Sequence, residues 1–138
     1  ERAALCRRLF RMQTIVLLGD VGMGKSTLVE KVTGVNGLSS DADESFTRES
    51  RAFLTPGGEM QLIDTPGSNS MNQRLEHNIW IAHALNADPI NLILLVIKAD
   101  IRIDNMVATA MDYLERFQDF DDLLAVCVTH MDSVTWSQ

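Results

Sequence analysis

The sequence predicts an α/β fold of three layers, α/β/α, built on a mostly parallel sheet with one antiparallel strand at an edge. Three observations carry this. A chain of 138 residues is the length of one domain. Short apolar, β-branched runs alternate with stretches of helical periodicity in the order β-α-β-β-α-β-α-β, the pattern of a sheet covered by helices on both faces. Pro56-Gly57-Gly58 separates two neighbouring strands by a turn, which makes them a hairpin and places one antiparallel strand at the rim.

Each element has its own signal. Glu1 to Met12 reads as an amphipathic helix, with Leu5, Leu9 and Met12 at helical spacing. Thr14 to Leu18 (TIVLL) is a wholly apolar run of the kind buried on both faces of a parallel sheet. Lys25 to Thr33 is a helix that Gly34 ends. Val35 to Glu44 is a loop of glycine, serine, asparagine and acid. Ser45 to Leu54 turns toward strand, and Glu59 to Ile63 is its hairpin partner.

A polar loop, Gly67 to Asn72, leads into a helix running to about Leu85, with Leu75, Ile79 and Ala82 inward and Leu85 a candidate to extend that stripe. Ile90 to Ile97 is the most strand-like segment. Asp104 is placed to cap a helix that turns Val107, Ala110, Met111, Leu114 and Phe117 inward. Leu123 to Val128 is the last buried strand, and Asp119, Asp121 and Asp122 before it form a solvated loop.

Composition bounds the function. The hydrophobic fraction is 46% and the charged fraction 22%, the balance of a folded domain and not of a disordered tail. The longest apolar run falls within Ile90 to Ile97, far short of the roughly 18 residues a membrane-spanning helix needs. No secretory signal pattern opens the chain, and the missing initiator Met reads as a fragment. The net charge is -7, and four arginines (Arg2, Arg7, Arg8, Arg11) crowd the first eleven residues, so the body is more acidic still. Such a body is a poor sequence-independent partner for nucleic acid, whose affinity comes from neutralised phosphates. Any phosphate held here needs a local site built from backbone. Two cysteines without metal-like spacing, Cys6 and Cys127, fit a reducing compartment, and the chain is expected in the cytoplasm.

That local site is legible. Gly19-Asp20-Val21-Gly22-Met23-Gly24-Lys25-Ser26 satisfies GxxxxGK[ST] between an apolar strand and a helix. Its glycines let backbone N–H groups curl toward phosphate oxygens, and the helix start that follows, through Ser26 and Thr27, adds its positive dipole end. Lys25 supplies charge to the β- and γ-phosphates, and the Ser26 hydroxyl is a ligand for Mg²⁺. About forty residues on, Asp64-Thr65-Pro66-Gly67 ends a strand, where Asp64 can reach Mg²⁺ through a water and Gly67 can offer its N–H to a γ-phosphate. Thr129-His130-Met131-Asp132 follows the last strand. A carboxylate at Asp132 would accept hydrogen bonds from N1 and N2 of guanine, a donor pair that adenine lacks.

These three stretches, in this order and spacing, resemble the translation-factor-related class of P-loop GTPases. The T-H-x-D box and Ser45-Phe46-Thr47 ahead of a strand make the chain most similar to the septin-like branch, which holds the immunity-associated AIG/GIMAP GTPases and the chloroplast import GTPases. The resemblance spans Thr14 to Asp132. It implies bound GTP or GDP with Mg²⁺, Thr47 as the switch threonine that ligates the metal, Asp64 as its water-mediated contact and Gly67 as the pivot of a second switch. Thr129 would orient the base-binding loop and His130 would lay its ring against the purine. It also implies a last strand and helix beyond Gln138. The expected organisation is therefore an N-terminal helix over residues 1–13 and a partial GTPase domain over 14–138.

Departures from the pattern shape the expected activity. Ser68 and Asn69 follow Gly67 where Ras-type GTPases place a water-orienting Gln nearby, and Gln73 lies too far on. Hydrolysis is expected to be slow or partner-dependent. An arginine finger contributes about 10³–10⁵ in rate, and Arg48 and Arg51 are candidates, against the plainer reading of solvated surface charges. The reading that results is a Mg²⁺-dependent GTP-hydrolysing switch, with Lys25, Thr47 and Gly67 as its working residues, that acts by forming a homodimer or by binding an effector protein. Any membrane contact would come through segments outside this chain. Two alternatives stand beside it: a nucleotide-gated interaction module with negligible catalysis, and an ATP-using P-loop enzyme.

Overall fold

The computed structural model describes residues 12–38, 51–67, 89–100 and 102–133. The expected first helix (with Cys6), Thr47, Arg48, Ser68, Asn69, Gln73 and the helix to Leu85 lie outside the described residues.

Within them the chain runs β1 (Gln13–Leu18), α1 (Lys25–Thr33), β2 (Arg51–Leu54), β3 (Met60–Asp64), β4 (Leu92–Lys98), α2 (Ile103–Arg116) and β5 (Leu124–Thr129). Short 3₁₀ turns cover Gln118–Leu123 and Met131–Ser133. The sheet order is β2-β3-β1-β4-β5. β1 pairs in parallel with β3 and β4, β4 in parallel with β5, and β2 antiparallel with β3. This is the predicted architecture, hairpin strand at the rim included.

Alternation along β1 builds two cores. Val16 and Leu18 join Ile63, Ile93, Leu95, Ile97, Tyr113 and Phe117 on the face that α2 covers. Leu17 joins Leu62, Val96 and Val29 of α1 on the other face. Successive side chains of a strand point to opposite faces, so one apolar run serves both layers. The inner strands are therefore closed to water on both sides, and their carboxyl ends open toward one edge, where an open α/β sheet places its ligand.

Helix α1 has the predicted bounds, and Gly34 closes it in a left-handed conformation, its N–H donating to the Glu30 carbonyl. Helix α2 departs from expectation by a rotation. Its inner stripe is Met106, Ala110, Tyr113 and Phe117. Val107, Met111 and Leu114 are exposed at 52, 58 and 36%. The stripe one residue earlier puts a large aromatic against the sheet and brings the Tyr113 hydroxyl to a polar partner, and periodicity alone does not separate two neighbouring stripes on a helix apolar on both. Asp104 is not the cap either; it sits in the first turn. The N-cap position is Arg102, with no side-chain cap; Asp100 just upstream accepts hydrogen bonds from the Arg102 N–H at 2.9 Å and the Asn105 side-chain amide at 3.2 Å.

β5, expected to be buried, is only partly so. With β4 as its one neighbour among the described residues, it has Val126 and Val128 exposed and Cys127 half-buried. The acids Asp119, Asp121 and Asp122 are exposed as expected, on a 3₁₀ turn. No helix among the described residues is long and apolar enough to cross a membrane.

Candidate nucleotide-binding site

The carboxyl ends of β1, β3 and β5 converge on the loop Gly19–Gly24. Gly19 has φ +146°, and a Cβ there would stand 2.4 Å from the Val96 carbonyl oxygen of β4. Neither that backbone nor that approach admits a side chain, so the glycine lets the loop leave β1 pressed against the neighbouring strand. Gly67 is the counterpart after β3: a Cβ would lie 2.5 Å from the Val21 backbone nitrogen and 2.8 Å from the Val21 side chain. Residues 46 apart in sequence thus meet at van der Waals limits, and Gly67 closes over the loop's third residue.

Lys25 begins α1 but reaches back over the loop. It is buried, and its Nζ donates to the carbonyls of Gly19 at 2.7 Å and Asp20 at 2.9 Å. Burial lowers its pKa, and the charges of Asp64 and Asp20 pull it part of the way back. An ammonium taken out of water and aimed into a ring of backbone is poised to gain from an anion.

Beside it the Ser26 hydroxyl donates to Asp64 Oδ2 at 3.0 Å. The other carboxylate oxygen, Oδ1, is the one buried side-chain polar atom among the described residues that lacks a hydrogen-bond partner. Burial raises the Asp64 pKa; Lys25, the Ser26 hydrogen bond and Arg51 oppose that rise. A hydroxyl and a carboxylate in contact, with one oxygen unclaimed, are the hard oxygen donors that Mg²⁺ takes alongside water and phosphate. The two residues fit that ion. Arg51 stands opposite Asp64 in the β2–β3 register, on the exposed rim. That places a cation within electrostatic reach of the carboxylate, more than a stray surface charge would offer.

The Thr129–Asp132 segment is tied to the same loop. The Thr129 hydroxyl donates to the Met23 carbonyl at 2.6 Å and stands 2.9 Å from His130 Nδ1. His130 has φ +56°, a left-handed backbone that few residues other than glycine adopt. Ser133 holds it there, its hydroxyl and N–H donating to the His130 carbonyl at 2.7 and 3.1 Å. A Cβ on Gly24 would come within 3.2 Å of the His130 ring. Asp132 is exposed on the 3₁₀ turn that follows. Val21 and Gly22 are exposed on the loop's outer bend, and Thr27 is exposed on α1.

The structure therefore gathers Gly19 to Ser26, Asp64, Gly67, Thr129 and His130 at one sheet edge, with Asp132 on its flank. Two participants escaped the sequence reading. Thr65 is buried, and its hydroxyl donates to the Leu17 carbonyl at 2.6 Å, fixing the loop after β3 to β1. Tyr113 donates its hydroxyl to Asp20 at 2.9 Å across 93 residues. Thr65 lay inside a motif already marked; nothing in sequence spacing points to Tyr113.

A model described as the 50S ribosome-binding GTPase matches residues 14–128. The chain belongs to that family. It is a GTPase domain by family. Among its relatives, the small ribosomal subunit biogenesis GTPase RsgA of Mycoplasmopsis agalactiae is 35% identical over 74 residues, 49% of this chain and 26% of that protein. GTPase Der of Buchnera aphidicola subsp. Baizongia pistaciae is 29% identical over 111 residues, 76% of this chain and 24% of that one. The chain thus spans about a quarter of the length of each.

Solved GTPase domains share the fold. A probable GTP-binding protein engB superposes with a TM-score of 0.60 at 21% identity, over 89% of this chain and 73% of that one. The chloroplast translocon components atToc33 and psToc159 give 0.58 at 22%, over 93% and 54%.

The charge state of the site yields a measurable pH dependence. The folded-state pKa of Asp64 lies above its unfolded value. Its contribution to stability is therefore present below the unfolded pKa and lost as pH rises through the folded one. Burial makes the charged form of Asp64 costly, a cost that a cation relieves and that a proton removes in competition with it as pH falls. The rise in melting temperature on adding MgCl₂ to the GDP complex, relative to a chelator, should shrink from about pH 8 to about pH 5, beginning above the ordinary carboxylate range. A Mg²⁺ increment flat across that interval would contradict the assignment of Asp64.

Proposed function

We propose that this domain is a slow GTP-hydrolysing switch of the septin-like branch, whose nucleotide state controls association with a second copy or with an effector protein. The observation that carries the reading is the Lys25–Ser26–Asp64 cluster: a buried ammonium beside a hydroxyl–carboxylate pair with one oxygen unclaimed. It is a preassembled receptor for a phosphate chain and its counter-ion. No covalent intermediate is implied: the Ser26 hydroxyl and the Asp64 carboxylate it donates to are read as oxygen ligands for one cation.

The residues act by position and charge. Lys25 neutralises the β- and γ-phosphates, and the loop's N–H groups orient them. Ser26 and Asp64 would hold Mg²⁺, which when bound screens the charge that builds on the β–γ bridge. Gly67, packed on Val21, would offer its N–H to the γ-phosphate and relax when that phosphate leaves, and Thr47 would let go of the metal at the same moment. Thr129 and His130 carry the base-reading turn on the phosphate loop, so Asp132 reads guanine at a set distance from the phosphates. The T-H-x-D box supports the branch. The solved chloroplast components, for which dimerisation is important for GTPase activity, support a second copy as the partner. The proposed location is the cytoplasm, with any membrane contact made by segments outside this chain.

Single-turnover hydrolysis of radiolabelled GTP at increasing protein concentration tests this. A phosphate-release rate that is low when dilute and climbs with concentration is the expected result. Absence of release at every concentration would overturn the switch and leave a nucleotide-gated interaction module.

A further inference from the structure

The phosphate loop carries one acid, Asp20, in a place built to receive anions. Its backbone belongs to the site, because the Asp20 carbonyl accepts from Lys25 Nζ at 2.9 Å and its carboxylate acts electrostatically on that same ammonium. An unrestrained carboxylate there would compete with the nucleotide for Lys25 and repel its phosphates. It is restrained. Tyr113, the chain's one tyrosine, donates its hydroxyl to Asp20 Oδ1 at 2.9 Å.

Tyr113 is itself held. Its ring stacks on Phe117 at a centroid distance of 6.3 Å and an interplanar angle of 12°. The Arg116 guanidinium lies 5.3 Å over it and is paired with Asp112. The phenol is buried, and its pKa is raised by that burial and by Asp20, so it remains a donor throughout the physiological range.

We propose that Tyr113 is a positioning residue for the nucleotide: from α2 its hydroxyl ties the Asp20 carboxylate against the helix, so that the loop's acid neither claims Lys25 nor repels the incoming phosphates. The inference rests on the loop being the phosphate site. A tyrosine kept only for packing would do its work through the ring, and its hydroxyl would be indifferent to charge on the ligand.

Equilibrium titration with fluorescent GDP and GTP analogues in Mg²⁺ buffer separates the two. Tyr113→Phe keeps the ring and should weaken GDP binding about tenfold, the scale of a hydrogen bond to a charged group, and GTP binding by more. Asp20→Asn should bind at least as tightly as the parent. In the Asp20→Asn background, Tyr113→Phe should change the dissociation constant by less than about twofold, the signature of coupling through one contact. Equal losses in both backgrounds, or no loss in either, would overturn the proposal. So would weaker binding by Asp20→Asn alone, a result that does not depend on how well Tyr113→Phe folds. Lys25→Ala in the same series guards the premise: if it binds normally, the phosphate site itself is misplaced, whereas a dead Lys25→Ala beside an unaffected Tyr113→Phe sinks the tyrosine role alone.

Discussion

Lys25→Ala should abolish detectable guanine-nucleotide binding while leaving the domain folded. The ammonium is buried at the floor of the loop, where it satisfies two backbone carbonyls, at 2.7 and 2.9 Å, and keeps a donor for an anion. Phosphate contacts by such a group are charge-assisted and shielded from water, worth about 1.5–3 kcal/mol each. Once the nucleotide draws two of those donors from the carbonyls onto its β- and γ-phosphates, losing both contacts weakens binding on the order of 10²–10⁴-fold. Folding is spared for a separate reason. The buried charge is held below its ordinary pKa by desolvation, so the empty domain gives up an unfavourable burial along with its hydrogen bonds. Titration gives the affinity, and thermal unfolding without ligand gives the control. Unchanged affinity would mean that the loop is not the phosphate site.

The second large effect is a change of base. Asp132→Asn should weaken GTP binding and confer binding of xanthosine triphosphate, shifting the ratio of the two by at least about a hundredfold. A carboxylate accepts from both N1–H and the exocyclic amine of guanine; an amide accepts one hydrogen bond and donates another, which suits the second carbonyl of xanthine. Sites built around a hydrogen bond reject the unmatched partner strongly, because the buried group is left unpaired. The structure makes the effect specific. Asp132 rides on a turn anchored by Ser133 to His130 and by Thr129 to Met23, so the substitution alters the reading group without moving its support. Competition between guanosine, xanthosine and adenosine triphosphates measures it. A preference that does not move would favour an ATP-using enzyme.

Much of the fold was legible because it rests on local signals. TIVLL reads as a buried strand, Gly34 as the end of the helix after Lys25, and Pro56-Gly57-Gly58 as the turn of a hairpin. The phosphate loop was legible for a related reason: its glycines report backbone geometry, which a motif encodes residue by residue. Helix α2 was misread where the sequence offered two apolar stripes. Met106, Ala110, Tyr113 and Phe117 compete with Val107, Ala110, Met111, Leu114 and Phe117, and neither is favoured by spacing. β5 is less buried among the described residues than its apolar content suggests, because that content does not say how many neighbours a strand has.

The sequence by itself determined the chemistry available: a glycine-rich loop whose backbone can donate to a phosphate, a lysine and a serine at its end, and carboxylates of the kind that suit a metal and a base. These follow from residue types at short spacing. Only the tertiary structure decided how those groups act on one another. It set Ser26 against Asp64 with one oxygen unclaimed, Thr129 on Met23, Gly67 on Val21, and Tyr113 on Asp20. Those contacts join residues 38 to 106 positions apart. Their strength comes from burial, and burial belongs to the packed sheet and to no segment of it.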